Sequence, residues 1–257
     1  MRPDPKILFS LSFWSVTTWL IFELFNLRLQ NWHYINLVSN TIIRWAGYTL
    51  AYATVLPGIF VTYLLLKNMG FFSQIRLKKR WSATALDLKI LQIAGLCFLL
   101  LPLVWPKYFF PLIWGGFVLL LDPINYKNGV PSLLADIEKG ALARIIQLLT
   151  AGLLCGFLWE FWNFWATSKW IYTVPFVGHI KLFEMPVLGF LGFPPFALEC
   201  YVIYNFLTGY ELALPWEGTI SSQQVCKKRL ILYALLQIPF WLLCYWLIDK
   251  YSVYSFK

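Results

Sequence analysis

The stretch Trp159-Glu160-Phe161-Trp162-Asn163-Phe164-Trp165 sets an acid and an amide among large aromatic side chains. Glu160 and Asn163 stand three residues apart, so on a helix they share a face, and the amide can hydrogen-bond to the acid and orient it. A carboxyl inside a membrane costs roughly 2.5–3.5 kcal/mol and generally faces the bundle interior or a wet cavity, where acids hold protons they can donate. Glu160 is therefore the leading candidate proton donor or base, with Asn163 beside it. Trp159, Trp162 and Trp165 admit two readings: an interfacial aromatic belt, or the lining of a pocket whose ring faces hold a flat or cationic group.

The segment that follows, Thr167 to Met185, carries Trp170, Tyr172, Phe176 and Phe183 beside Pro175, Gly178, His179 and Glu184. So many large apolar groups do not suit a solvated loop, and the segment reads as a lid or re-entrant piece packed on the membrane. Within it, Glu184 is a candidate partner of Glu160 at a pocket mouth and His179 a candidate proton relay. Pro186, Gly189, Gly192, Pro194 and Pro195 then interrupt the next apolar run, because proline removes amide donors and frees backbone groups. Glu199 falls past that break, near mid-bilayer, as a deeper candidate acid, with Tyr201 on the same span as a substrate contact. Glu23, toward the end of the first span, reads as an interfacial residue.

Other chemistries find little support. There is no Glu-x-x-His pair, HExxH, phosphate loop or serine-hydrolase elbow, and only His33 and His179 are present, so no metal or cofactor is expected; a site of both histidines with Glu160 or Glu184 is the one metal arrangement the spacing allows. The five cysteines form no CxxC pair and behave as small hydrophobes. The net charge of +9 comes from basic residues flanking apolar blocks, which serves membrane orientation rather than nucleic acid.

The elements that must position these residues are spanning helices. Of 257 residues 60% are hydrophobic and 13% charged, with the charges gathered between solid apolar runs, which argues for an all-α polytopic transmembrane bundle rather than a barrel. Seven spans are expected: Ile7 to Leu27, Trp45 to Leu66, Ile90 to Trp105, Tyr108 to Leu121, Ile145 to Ala166, Pro186 to Leu207 and Leu230 to Ile248. The third and fourth are short for a full crossing. The first is read as a retained helix, with no small-x-small cleavage site after it. Asp122-Pro123 reads as a turn, and Ser132 opens an amphipathic helix on the cytoplasmic surface through Leu133, Leu134, Ile137 and Ala141. No internal repeat is expected, and residues 1–257 form one integral membrane domain.

A cytoplasmic N-terminus places most of the 21 Lys and Arg residues inside, the run from Arg76 to Arg80 among them, in what is expected to be a bacterial cytoplasmic (inner) membrane. The partners expected are membrane lipids and a hydrophobic small molecule. Function divides three ways: an enzyme acting on a lipid or isoprenoid-like substrate by acid/base catalysis, a proton-coupled transporter, or a membrane scaffold whose acids hold helices or partner subunits together.

Overall fold

In a computed structural model that describes residues 4–77, 82–178, 180–216 and 227–255, with backbone alone at 227–231 and 234, the chain is a helical bundle. In order it runs α1 (Pro5–Leu29), β1 (Trp32–Ile35), α2 (Thr41–Ala53), α3 (Val55–Asn68), α4 (Ala85–Val104), α5 (Pro106–Phe109), a 3-10 turn (Phe110–Leu112) and α6 (Ile113–Lys127). It continues through α7 (Leu133–Glu138), α8 (Ala143–Trp165), β2 (Lys169–Tyr172), β3 (Lys181–Leu182), β4 (Met185–Pro186), a 3-10 segment (Val187–Gly192), α9 (Phe193–Gly209) and α10 (Lys227–Tyr251). Among the described residues, 6 helical segments are long and apolar enough to cross a membrane. The expected seventh lies in α10, which spans 25 residues but is not among those 6. The outward face of α4, with Leu86, Ile90, Ile93, Leu96 and Leu100 all exposed, is a surface that lipid covers and water does not suit.

Proline and glycine shape the bundle. α2 and α3 form one 28-residue segment broken at Thr54, three residues before Pro57, which has no amide to offer the Ala53 carbonyl. α3 packs on α8, whereas α2 packs on α1 and has no extensive contact with α8 or α9. On the other side, the 3-10 segment Val187–Gly192 turns into α9 at Pro194-Pro195, so the sixth span is broken as its sequence implies. Gly152 and Gly156 let α9 approach α8: a methyl group at Gly152 would strike the Phe193 carbonyl, and one at Gly156 the Phe193 ring. Where these elements meet, Phe22, Trp114 and Phe196 pack together, with Phe22 stacked on Trp114 at 5.4 Å.

Four expectations change. The third and fourth spans are not short, because α4 holds 20 residues and Pro106–Lys127 holds 22. Asp122-Pro123 is no turn but lies inside α6, where buried Asp122 accepts bonds from the Leu133 and Leu134 amides at 3.0 and 2.8 Å. The amphipathic helix shrinks to the 6-residue α7, capped by Ser132 and buried at Leu133 and Leu134, because Asp122 pulls its first turn into the bundle. Finally, the chain does contain a repeated unit, which carries the candidate site.

Candidate functional site

Two four-residue strands far apart in sequence, Trp32-His33-Tyr34-Ile35 and Lys169-Trp170-Ile171-Tyr172, pair antiparallel with Trp32 opposite Tyr172 and Tyr34 opposite Trp170. Side chains alternate along a strand, so the two Trp-x-Tyr triplets project all four aromatic residues onto one face of the ribbon. A local twofold axis through the His33 and Ile171 pair exchanges Trp32 with Trp170 and Tyr34 with Tyr172. Each strand follows a spanning helix, α1 or α8, that carries Glu-x-x-Asn near its end: Glu23 and Asn26, Glu160 and Asn163.

The two copies are wired alike. Asn26 donates to the Trp32 carbonyl at 2.8 Å and accepts from the amides of Asn31 and Trp32. Asn163 donates to the Trp170 carbonyl at 2.9 Å and accepts from the Trp170 amide at 3.0 Å. Each asparagine thus stitches the helix end to its own strand, which delivers an indole N–H and a phenol O–H to the acid one helical turn back. Glu23 Oε1 accepts from Trp32 Nε1 at 3.1 Å and from the Tyr34 hydroxyl. Glu160 Oε1 accepts from Trp170 Nε1 at 3.1 Å and from the Tyr172 hydroxyl at 2.7 Å. In both acids Oε2 is buried and has no hydrogen-bond partner among the described residues. Burial, reinforced by the neighbouring Glu23 carboxyl, pushes the Tyr34 phenol well above its ordinary range. Burial and Glu160 do the same to Tyr172, so both hydroxyls stay protonated and act as donors.

The copies differ in what lies beside the acid. A cavity of about 520 Å³ opens below the ribbon, within the roughly 300–1,000 Å³ usual for small-molecule sites. Its wall includes Glu160 together with Trp114, Trp159, Trp170, Tyr52 and Phe193, while Glu23 is not part of that wall. One turn before Glu23 stands Trp19, which donates a third bond to Glu23 Oε1 at 2.9 Å and itself lines the cavity. The matching position before Glu160 is Gly156, whose side is filled by Phe193. The mouth carries Arg44 and Lys169, each already paired: Arg44 is bidentate to Asp249 at 2.8 and 2.7 Å, and Lys169 meets Glu184 at 2.8 Å.

The candidates from sequence therefore scatter. Glu160, Trp159 and Trp170 share the cavity wall. Asn163 is adjacent but holds the Trp170 backbone rather than the acid, so it orients the strand. Glu184 sits on Lys169 at the mouth and does not bond Glu160. Trp162 and Trp165 are 59% and 72% exposed on the outer face of α8, away from the cavity. Glu199 is buried elsewhere, accepting from the Phe117 amide at 2.9 Å, an amide left over where α6 departs from helical geometry at Trp114. Tyr201 is buried against Phe60 and under Arg144. His179 lies outside the described residues. His33 stacks on Tyr254 at 4.3 Å.

Sequence reading missed Glu23 as a buried acid, taking it for interfacial; its exposure is 0% because Trp19, Trp32 and Tyr34 enclose it. It also missed Tyr34, Tyr52, Tyr172 and the repeat. The signal was present, as Glu-x-x-Asn followed by Trp-x-Tyr occurs in both halves, but it spans two short pieces inside long apolar runs. No protein-family model matches the chain, and neither a curated protein nor a solved structure matches it.

Proposed function

We propose that the protein is a membrane enzyme that binds an unsaturated hydrophobic molecule of lipid or isoprenoid type in the aromatic cavity and moves protons on it through Glu160. The observation that carries this reading is a buried carboxyl on the wall of an aromatic cavity, with one oxygen fixed by two donors and the other without a protein partner. The fixed oxygen sets the orientation of the group and the second is the reacting atom. Its proton adds to one carbon of a double bond, the faces of Trp159 and Trp170 stabilise the resulting cation, and the carboxylate takes a proton back from a neighbouring carbon. The net change is an isomerisation or ring closure that balances without a co-reactant.

The proposal extends to orientation: the ribbon end faces outward from a bacterial cytoplasmic membrane, with the N-terminus inside. Support comes from the opposite end, where Arg76, after α3, bridges Ala141, between Lys139 and Arg144 before α8, so basic residues of two connections lie together. The test is mass spectrometry of apolar compounds that copurify with wild type and with Glu160→Gln, paired with heat unfolding. Glutamine keeps an acceptor for Trp170 and Tyr172, so stability should fall by no more than about 1 kcal/mol. A discrete compound that accumulates in the variant identifies the substrate. The same bulk lipid in both proteins sinks the proposal, and loss of folding in the variant makes Glu160 structural.

A further inference from the structure

The cavity is open on one flank, and the flank lies inside a spanning segment. Gly47, Ala51 and Thr54 line the cavity and are exposed, and all three belong to the apolar segment Thr41–Asn68. The opposite wall is Met185, Gly189 and Gly192, on β4 and the 3-10 segment before α9. Among the described residues the two walls make no extensive contact: α3 packs on α8, whereas α2 packs on α1 and not extensively on β4 or the 3-10 segment. Gly47 to Thr54 lie well inside a segment long and apolar enough to cross, so this flank belongs to the part of the helix that hydrocarbon chains would surround. At Gly47 an added Cβ would meet no atom within 4 Å, so that edge of the cleft is open space. The mouth at the ribbon end offers little to a charged head group, since Arg44 and Lys169 are each satisfied by a carboxylate of this chain.

Resting on the reading of the cavity as a ligand site, we infer that its occupant enters sideways from the bilayer through the cleft between α2 and the Met185–Gly192 wall, and that it is a neutral lipid rather than a phosphate-bearing one. Small residues on α2 form the threshold, and the two proline breaks hold it open. A charged head would have to displace Asp249 or Glu184 from ion pairs at the mouth, whereas a neutral chain slides in without that cost.

The test uses the full chain in phosphatidylcholine vesicles carrying a long-chain alcohol with a mid-chain diazirine, with labelled residues mapped after photolysis. Label is expected on cavity-wall residues such as Met185 and Glu160, as well as on the lipid-facing side of α4. Gly47→Trp should plug the threshold and lower cavity label by about tenfold, leaving label on α4 and the unfolding temperature unchanged. Ala51→Trp is the second plug should Gly47→Trp misfold. Undiminished cavity label in a folded plugged variant overturns sideways entry while the cavity reading stands. So does cavity label by a short water-soluble diazirine alcohol when the long-chain probe gives none. Equal cavity label by the phosphate ester of the long-chain probe overturns the preference for a neutral lipid. Absence of cavity label with both alcohols overturns the cavity reading itself.

Discussion

Glu23 and Glu160 occupy equivalent places in two copies of one unit and both are fully buried, yet only Glu160 belongs to the wall of a cavity. Each has a helix behind it, an asparagine one turn on and a Trp-x-Tyr strand in front. The difference lies one turn back, where Trp19 gives Glu23 a third donor, whereas at Gly156 the space is taken by the Phe193 ring, which has no donor to offer Glu160. A shared scaffold that places a carboxyl under an indole and a phenol thus stands away from the cavity in one half and at its wall in the other. The comparison separates the cost of holding a buried acid from the use of one.

Removing the carboxyls altogether should break the two halves unequally. Glu23→Leu leaves Trp19 and Trp32 as buried donors with no acceptor, at roughly 1–3 kcal/mol each, while Tyr34 keeps the Tyr52 hydroxyl at 3.1 Å, so a loss on the order of 2–6 kcal/mol is expected. Glu160→Leu leaves the Trp170 indole donating to the Tyr172 hydroxyl at 2.9 Å and strands that hydroxyl's own proton beside a cavity that can admit water, so about 1–3 kcal/mol should be lost. Heat or denaturant unfolding in detergent checks both. Equal losses would mean that the cavity gives Glu160 no relief and that the two acids are structural alike.

A smaller gap is expected at the asparagines. Asn26 makes three bonds to backbone groups and Asn163 two. At about 1 kcal/mol per bond, alanine should cost about 3 kcal/mol at Asn26 and about 2 kcal/mol at Asn163. Asn163→Ala should also loosen β2, which carries both donors to Glu160, and so weaken ligand retention without touching the ligand. Unchanged retention in that variant would detach the strand from the site.

The spans were legible because hydrocarbon-length apolar runs have few other uses, and the break before α9 was legible because Pro194-Pro195 cannot continue a helix from its N-terminal side without loss. Asp122-Pro123 misled because a turn signal and a mid-helix kink use the same residue pair; what decides is the partner, here the amides of Leu133 and Leu134, which no local pattern reveals. Trp162 and Trp165 were grouped with Trp159 by composition, but helix periodicity turns them to the lipid side, whereas Glu160 turns inward. The strands were the least legible feature. Four residues of alternation are too few to outweigh an aromatic loop, and β1 and β2 exist only because the two halves of the chain bring them together.

The last and smallest effect tests the cover itself. Trp19→Phe keeps most of the ring but removes one donor, leaving Glu23 with the same indole and phenol pair that Glu160 has. Stability should fall by only about 1 kcal/mol. A hydrophobic carbodiimide, which reacts with a protonated carboxyl inside a membrane, should modify Glu160 and spare Glu23 in the wild type, because Glu160 lines the cavity and Trp19 stands between the cavity and Glu23. In Trp19→Phe the labelling of Glu23 should rise toward that of Glu160, since a smaller ring without its tether to the carboxyl no longer blocks the approach. If Glu23 is labelled as fast as Glu160 in the unaltered protein, Trp19 is not the cover and the two halves differ for another reason. If neither acid is labelled in either protein, the reacting oxygen of Glu160 is closed off from the cavity, and its role reverts to the structural one that Glu23 has.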